Sequence, residues 1–551
     1  MSSDLRNAAG GALKTGLNAW SAALPVLVAL IVLIPFLGKP FTIDDVTFLL
    51  EAKHALSDPL HPSAFEMVFD GERIRLSQQL ATGPVMAYLL VPVVQSASAE
   101  SLAHLIEIAL LIVAYIATAS LAIRLGLDRT QSVVAATLVV VSPAVLAMAS
   151  TAMPDVPALA FGAVGVERFV AWYQRRSWQR GISAAVFLAL SCLTRSHAVL
   201  LIPIAGLLAF SGRYGSGDSQ DEFRRSAIRF APLGGALLIV IAVIAVTRDP
   251  GTGVNLATAA AHRIENRAFL LNVPSYMLHW ALMFPLVVLW PFVRGKQFLV
   301  IARTCVSAVI AFVLSVSAGY LTHGMIWGVV LLALLAISVD VLMDIAVDGV
   351  KRRDYLQLAL LAWLLAPSLA TVYIQLPAKL LIFSAPAMGI AIARRTRWEI
   401  RNALQTVYLV AIVGVCLTTS ILIIRADQKL AQIGREGGAV VAEQIRSGKT
   451  VWSDGGWGFQ WYSIQAGAQP LARTAPFPQR GDVIVSSLEG RLRAQLYPRA
   501  TLVSRKIFSA PGGRIHGEGA GFYSNVVGPL PWVWGTKEFG RIEVWRLDTL
   551  K

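Results

Sequence analysis

Apolar runs of about 18 residues or more, separated by short polar or basic turns, recur over the first three quarters of the chain. The first lies near 21–37 and is closed by Gly38-Lys39-Pro40. Others lie near 102–123, 132–148, 156–172, 182–193, 198–210, 230–246, 280–293, 301–320, 325–343, 355–374, 380–393 and 407–424. These predict about 13 membrane-spanning helices. Between the first two runs stands a long polar stretch, 39–100, a length that usually serves function rather than connection. Within it 46–56 predicts an amphipathic helix, and Asp58-Pro59-Leu60-His61-Pro62 breaks the chain. The segment 82–92 is short and bounded by prolines, so a helix lying in the membrane interface is expected there.

Near residue 425 the pattern changes to alternation. Thr450-Val451-Trp452-Ser453, Asp482-Val483-Ile484-Val485-Ser486, Ala500-Thr501-Leu502-Val503 and Arg541-Ile542-Glu543-Val544-Trp545 predict strands, and 433–447 predicts a helix. The expected architecture is therefore a polytopic α-helical membrane protein, residues 1–424, carrying a small α/β domain at 425–551.

Charge orients this arrangement. Basic clusters near 124–129, 175–180, 213–229, 294–303, 351–353 and 394–401 all fall on one side if the N-terminus is cytoplasmic. The opposite side then receives the 39–100 loop, the turn at Asp155, the Arg195-Ser196-His197 break, the 248–279 loop, Leu321-Thr322-His323, the stretch Gln375–Lys379 and the C-terminal domain. The reading is a multi-pass protein of the bacterial inner membrane with a periplasmic C-terminal domain. The net charge of +15 is then positive-inside loop charge. No zinc-finger, RNA-binding or helix-turn-helix signature is present, so nucleic acid is not an expected partner. With 56% hydrophobic and 15% charged residues the chain falls well below the charge of a soluble domain. Cys192, Cys305 and Cys416 each sit in an apolar run at spacings that suit neither a metal site nor a disulfide ladder. No small-residue cleavage site follows the first run, which reads as a retained helix.

The candidate chemistry collects on the outer side. Asp44 and Asp45 open the long loop. Thr42-x-x-Asp45 has capping-box character, and a carboxylate at a wet membrane edge can also take a proton from an acceptor hydroxyl. Asp155, beside Pro154 and Pro157, carries the same two readings. Arg195 and His197 interrupt an apolar hairpin, where charge is costly and usually functional. Lys379 opens a later span, where it could snorkel or hold a phosphate. The charged stretch 259–267 reads as a solvated helix face. Trp452, Trp457, Trp461, Trp532 and Trp534 fit aromatic packing better than sugar or membrane contact. Together, cations able to hold a phosphodiester and carboxylates able to deprotonate a hydroxyl suit an enzyme acting on a polyprenyl-phosphate-linked sugar. A transporter or flippase of lipid-linked sugars is the alternative. It would share the spans, but the halves show no repeat and few charges lie in mid-span.

This ordered set resembles the GT-C membrane glycosyltransferases, in the branch of the protein O-mannosyltransferases and the lipid A aminoarabinose transferase. Asp44-Asp45 matches the acidic pair of the first outer loop. Gly83-Pro84-Val85-Met86-Ala87-Tyr88 is a looser form of the Pro-Pro-Leu-x-Tyr-like motif that ends it. Met153-Pro154-Asp155 and Thr194-Arg195 match the second acid and the Thr-Lys/Arg pair. Lys379-Leu380, followed by Pro386, stands where the family often has Arg-Tyr. The resemblance implies inverting transfer from a polyprenyl-phosphate sugar to a lipid, glycan or protein acceptor on the periplasmic side. On it, Asp44 is the expected base, Asp45 and Asp155 orient acceptor or cation, and Arg195, His197 and Lys379 bind the donor phosphate. Some members of the family use a divalent metal ion; no ligand cluster for one is legible here, and its ligands are unassigned.

Overall fold

The computed structural model describes residues 23–78, 83–211, 228–247 with Asp249, 268–294, 306–311, 325–395 except 374, and 403–548 except 489, 491, 493–498, 518 and 529. The stretch 259–267, the turn Leu321-Thr322-His323, Cys305 and most of the run 301–320 lie outside these residues.

The membrane part is built from apolar helices. They begin with α1 (Ala23–Phe36), α2 (Asp45–Ala55), α3 (Val85–Val94) and α4 (Ala99–Arg124). There follow α5 (Arg129–Val140), α6 (Pro143–Met148), α7 (Asp155–Gln174), α8 (Trp178–Thr194) and α9 (Leu201–Ser211). Helix α4, at 26 residues, is about 39 Å long and exceeds the apolar thickness of a bilayer. Among the described residues four helices are long and apolar enough to cross a membrane. A fifth such span would be the pair Asn272–Leu282 and Leu286–Phe292, bent by 62°. Other apolar runs are shorter or broken. The run 132–148 divides into α5 and α6 because Pro143 cannot donate to the α5 ladder and instead starts a new helix behind Ser142. The run 380–393 begins as a 3₁₀ segment, Ala378–Ser384, and becomes α-helical only at Ala385–Arg394.

The run 407–424 and the expected helix 433–447 are one element, Ala403–Arg446. At 44 residues it is about 66 Å long and carries the chain from the apolar body into the C-terminal unit without a break. Gly434, Gly437 and Gly438, within the expected helix, are packing positions. A Cβ on Gly434 would come 2.7 Å from the Phe459 nitrogen, and one on Gly438 would come 2.5 Å from the Tyr462 Cβ. They let the short helix Trp457–Gln465 lie directly on the long one.

That short helix joins strands of a five-stranded sheet built from β3 (Val451–Asp454), β4 (Gln469–Pro470), β5 (Val483–Ser487), β6 (Ala500–Ser509) and β7 (Glu538–Leu547), in the order β4-β3-β5-β7-β6. Strand β3 runs parallel to β4 and β5, while β7 is antiparallel to β5 and β6. All four expected strands are present. Val451, Val483, Val485, Ile542 and Val544 bury their side chains against Ile433 and Val441 of the long helix.

The 39–100 loop is clasped by this unit. It contains a hairpin of β1 (Glu66–Phe69) and β2 (Glu72–Arg75). Gln460 donates to the Val68 carbonyl at 2.8 Å, and the Arg473 N–H donates to the Gly71 carbonyl at 2.9 Å. The Phe41 N–H donates to the Tyr462 hydroxyl at 3.0 Å, and that hydroxyl donates to Glu100 at 2.8 Å. Beneath these contacts Lys39, fully buried, pairs with Asp427 of the long helix at 2.7 Å. Asp427 also accepts from the Tyr523 hydroxyl at 2.8 Å.

Removing one member of a buried ion pair leaves an uncompensated charge. Lys39→Met or Asp427→Asn should cost about 3–5 kcal/mol, read as a lower midpoint of thermal unfolding in detergent. The double variant Lys39→Met with Asp427→Leu should regain most of that loss. Additive losses in the double variant would show that the pair is not coupled.

Candidate functional site

The acidic pair is split by its surroundings. Asp45 is fully buried and acts as a staple. Its Oδ2 accepts the Thr42 N–H at 2.9 Å, and its Oδ1 accepts the Ala152 N–H at 2.9 Å from the turn that leads to Asp155. Burial pushes its carboxyl up to about 7, against the opposing pull of Lys39 and the two backbone donors. The capping geometry read from Thr42-x-x-Asp45 therefore belongs to Asp45. Asp44, at the N-cap of α2, makes no capping hydrogen bond with its side chain. Its carboxylate is 44% exposed and pairs at 2.6 Å with the Lys379 ammonium, which is 6% exposed. The residue before it, Ile43, has φ +42°. A β-branched residue in the left-handed region is strained, and such strain clusters at functional sites.

Lys379 is presented by the 3₁₀ segment Ala378–Ser384, and its Nζ lies 5.7 Å above the ring of Tyr523. The same segment carries Phe383, whose ring meets that of His197 at 4.9 Å. Arg195, at the end of α8, donates from Nη2 to Asp155 Oδ2 at 2.6 Å. Asp155 opens α7 and is 2% exposed. Four of the six residues expected to form a site fall in two ion pairs, Asp44 with Lys379 and Asp155 with Arg195. Asp45 links them through Ala152, and His197 links them through Phe383.

Four participants were not anticipated. Lys39 was read only as part of a helix stop, and nothing in the sequence marked Asp427 or Tyr523. Glu107 is different. It lies in the middle of α4, 1% exposed, within electrostatic reach of Asp155 and Asp45. An ionisable residue inside an apolar run is itself a functional signal, and that signal could have found it.

Asp44 opens into a cavity of about 510 Å³ between the 39–100 loop and the C-terminal unit. Its walls include Thr47, Asp70, Asp454, Trp457 and His516. Of the other tryptophans, Trp452 and Trp461 are buried, as aromatic packing requires, whereas Trp534 is exposed. Among the described residues no three of His, Cys, Asp and Glu converge so as to hold a metal ion.

Comparison with known proteins bears on the fold. The family model of dolichyl-phosphate-mannose-protein mannosyltransferase matches residues 91–213, the stretch that contains Glu107, Asp155 and Arg195. The archaeal oligosaccharyltransferase AglB from Archaeoglobus fulgidus, solved in complex with an inhibitory peptide and a dolichol-phosphate, superposes with a TM-score of 0.50 at 11% identity. The match covers 88% of this chain and 70% of that one. The chain has the GT-C fold. The resemblance carried by the ordered motifs agrees with this fold. An apo structure of the Archaeoglobus fulgidus oligosaccharyltransferase matches at 13% identity and a TM-score of 0.46, covering 83% of this chain, which spans 64% of that protein's length. ArnT from Cupriavidus metallidurans bound to undecaprenyl phosphate gives 13% identity and a TM-score of 0.49, covering 98% of this chain and 100% of that one. No curated protein sequence matches.

Helix α2 also buries Glu51, whose Oε1 accepts from the Ser63 hydroxyl and whose carboxyl burial raises to about 7. A raised carboxyl contributes stability that is full below its ordinary value, near 4.5, and is lost as pH rises through about 7. Glu51→Gln mimics the protonated acid. Melting temperatures from pH 4.5 to 8 should therefore fall less steeply in the variant, with a residual slope from Asp45. Parallel profiles for wild type and variant would remove Glu51 as a source of the slope.

Proposed function

We propose that the protein moves a sugar from a polyprenyl-phosphate donor to an acceptor hydroxyl, with inversion, and that Asp44 is the general base. The observation that carries this reading is the Asp44–Lys379 pair at the mouth of the cavity. It sets a solvent-reachable carboxylate directly beside a nearly buried cation. The acceptor hydroxyl gives its proton to Asp44 while its oxygen attacks the anomeric carbon from the face opposite the phosphate. The bond from that carbon to the phosphate oxygen breaks, and the electron pair leaves on the lipid phosphate. An ammonium has three donors, so Lys379 can bridge Asp44 and the phosphate. As the donor binds, the phosphate draws that charge toward itself and releases Asp44 for the proton. Arg195, held by Asp155, supplies a second cation, and His197 flanks it. All of these are protein groups.

The polyprenyl-phosphate donor is supported by the match to a dolichyl-phosphate-mannose-dependent family and by the dolichol-phosphate complex of the archaeal structure. The alternation of basic loops supports about 13 spans, a cytoplasmic N-terminus and a catalytic face in the periplasm of a bacterial inner membrane. On this reading residues 1–424 are the catalytic module and 425–551 a periplasmic domain that completes the site.

Purified protein in lipid, offered a panel of radiolabelled polyprenyl-phosphate sugars, should release sugar from one of them. Asp44→Asn should slow transfer by about 10²–10⁴-fold, and Lys379→Met should weaken kcat/KM for the donor. Wild-type transfer by a well-folded Asp44→Asn protein would refute the base assignment. Movement of the lipid between leaflets without any turnover would refute the enzyme.

A further inference from the structure

The acceptor side of this site has a chemistry of its own. The cavity of about 510 Å³ falls within the range of small-molecule sites. Four described residues other than glycine adopt positive φ, and three of them, Ile43, Asp70 and Trp457, line this cavity. Trp457, at φ +54°, is the most unusual, because a bulky aromatic gains nothing locally from a left-handed backbone. The conformation presents a half-buried indole to the cavity, and its ring meets that of His516 edge-on, with centroids 4.6 Å apart and planes at 86°. Gly455, Gly456, Gly490 and Gly517 also line the cavity.

The charged residues that line the cavity are mostly acidic. Asp44, Asp70 and Asp454 contribute carboxylates. Arg514 directs Nη1 and Nη2 at the carbonyls of Ala510, Gly512, Gly513 and Lys537. Glu538 is paired with Arg541. Burial lowers the His516 ring below its usual range despite the attraction of Asp44, so it is neutral at neutral pH. Among the described lining residues an anionic acceptor would face four carboxylates, Asp44, Asp70, Asp454 and Glu538, against the single guanidinium of Arg514. An uncharged sugar ring meets what it needs: an aromatic face for its C–H face, and planar carboxylates for its hydroxyls.

We propose that this cavity is the acceptor site, that the acceptor is an uncharged carbohydrate, and that Trp457 is the platform on which its ring stacks. The proposal rests on the glycosyltransferase reading for the word acceptor, and its test is separable from that reading. Full-length protein in lipid nanodiscs is examined by saturation-transfer NMR with three probe sets. These are methyl glycosides of neutral hexoses and pentoses, the corresponding hexose 6-phosphates, and short peptides containing Ser and Thr. The neutral glycosides should bind, with the strongest transfer to ring C–H protons. Trp457→Gly keeps the left-handed backbone and should weaken binding at least tenfold, while Trp457→Phe should retain part of it. Unchanged melting temperatures would show that both variants fold. Absence of glycoside binding, glycoside binding indifferent to Trp457→Gly, or preference for phosphates or peptides would each overturn the proposal. Trp457-dependent glycoside binding in a protein that turns over no polyprenyl-phosphate sugar would preserve the cavity assignment and remove the enzyme. Transfer to peptide hydroxyls unaffected by Trp457→Gly would preserve the enzyme and remove the carbohydrate site.

Discussion

A charge taken out of water must meet its counter-charge, and in an apolar body of helices that partner has to come from wherever the chain can bring it. Lys39 and Asp427 are 388 residues apart, and Asp44 and Lys379 are 335 apart. The two pairs bracket the start of the 39–100 loop. One ties it to the long helix, and the other ties it to the 3₁₀ segment that opens a late apolar run. Neither charge could be buried alone at bearable cost. The fold that satisfies both must hold the early loop, the late membrane segments and the C-terminal unit in one arrangement. The clustering of these charged residues is thus a consequence of charge satisfaction among distant segments.

The same logic separates two neighbouring aspartates. Asp45 loses its water and is compensated by two backbone N–H groups, so it rigidifies the loop and fixes the turn that leads to Asp155. Asp44 keeps partial access to solvent and is compensated by an ammonium. One acid holds the loop in place while its neighbour keeps partial access to solvent. The strained Ile43 backbone immediately precedes the pair.

Much of this was legible in the sequence. Apolar runs and alternating strands reported the two kinds of architecture, because burial on one face imposes periods of 3.6 and 2. Asp44, Asp155, Arg195 and Lys379 could be singled out because each breaks an apolar context. What stayed hidden depends on contacts between distant segments. The capping motif could not say which acid of the pair would be buried. The sequence could not show that Gly437 and Gly438 leave space that Phe459 and Tyr462 occupy. Tyr523 carries no local mark at all, although its hydroxyl reaches Asp427 and its ring underlies Lys379.

Tyr523 also bears on what the C-terminal unit contributes. A lid that merely covered a finished site would touch its rim. Here the unit supplies the ring beneath the Lys379 cation and the hydroxyl on the Lys39 counter-ion, and it forms the wall facing Asp44. Its helix Trp457–Gln465 approaches the loop so closely that a Cβ on Gly458 would come 2.2 Å from the Phe41 carbonyl oxygen. Side chains buried against one another in this way cannot be separated without exposing the Lys39–Asp427 pair. The cavity therefore exists only while the early loop and the C-terminal unit are docked, and the geometry of Asp44 is set from both sides of it.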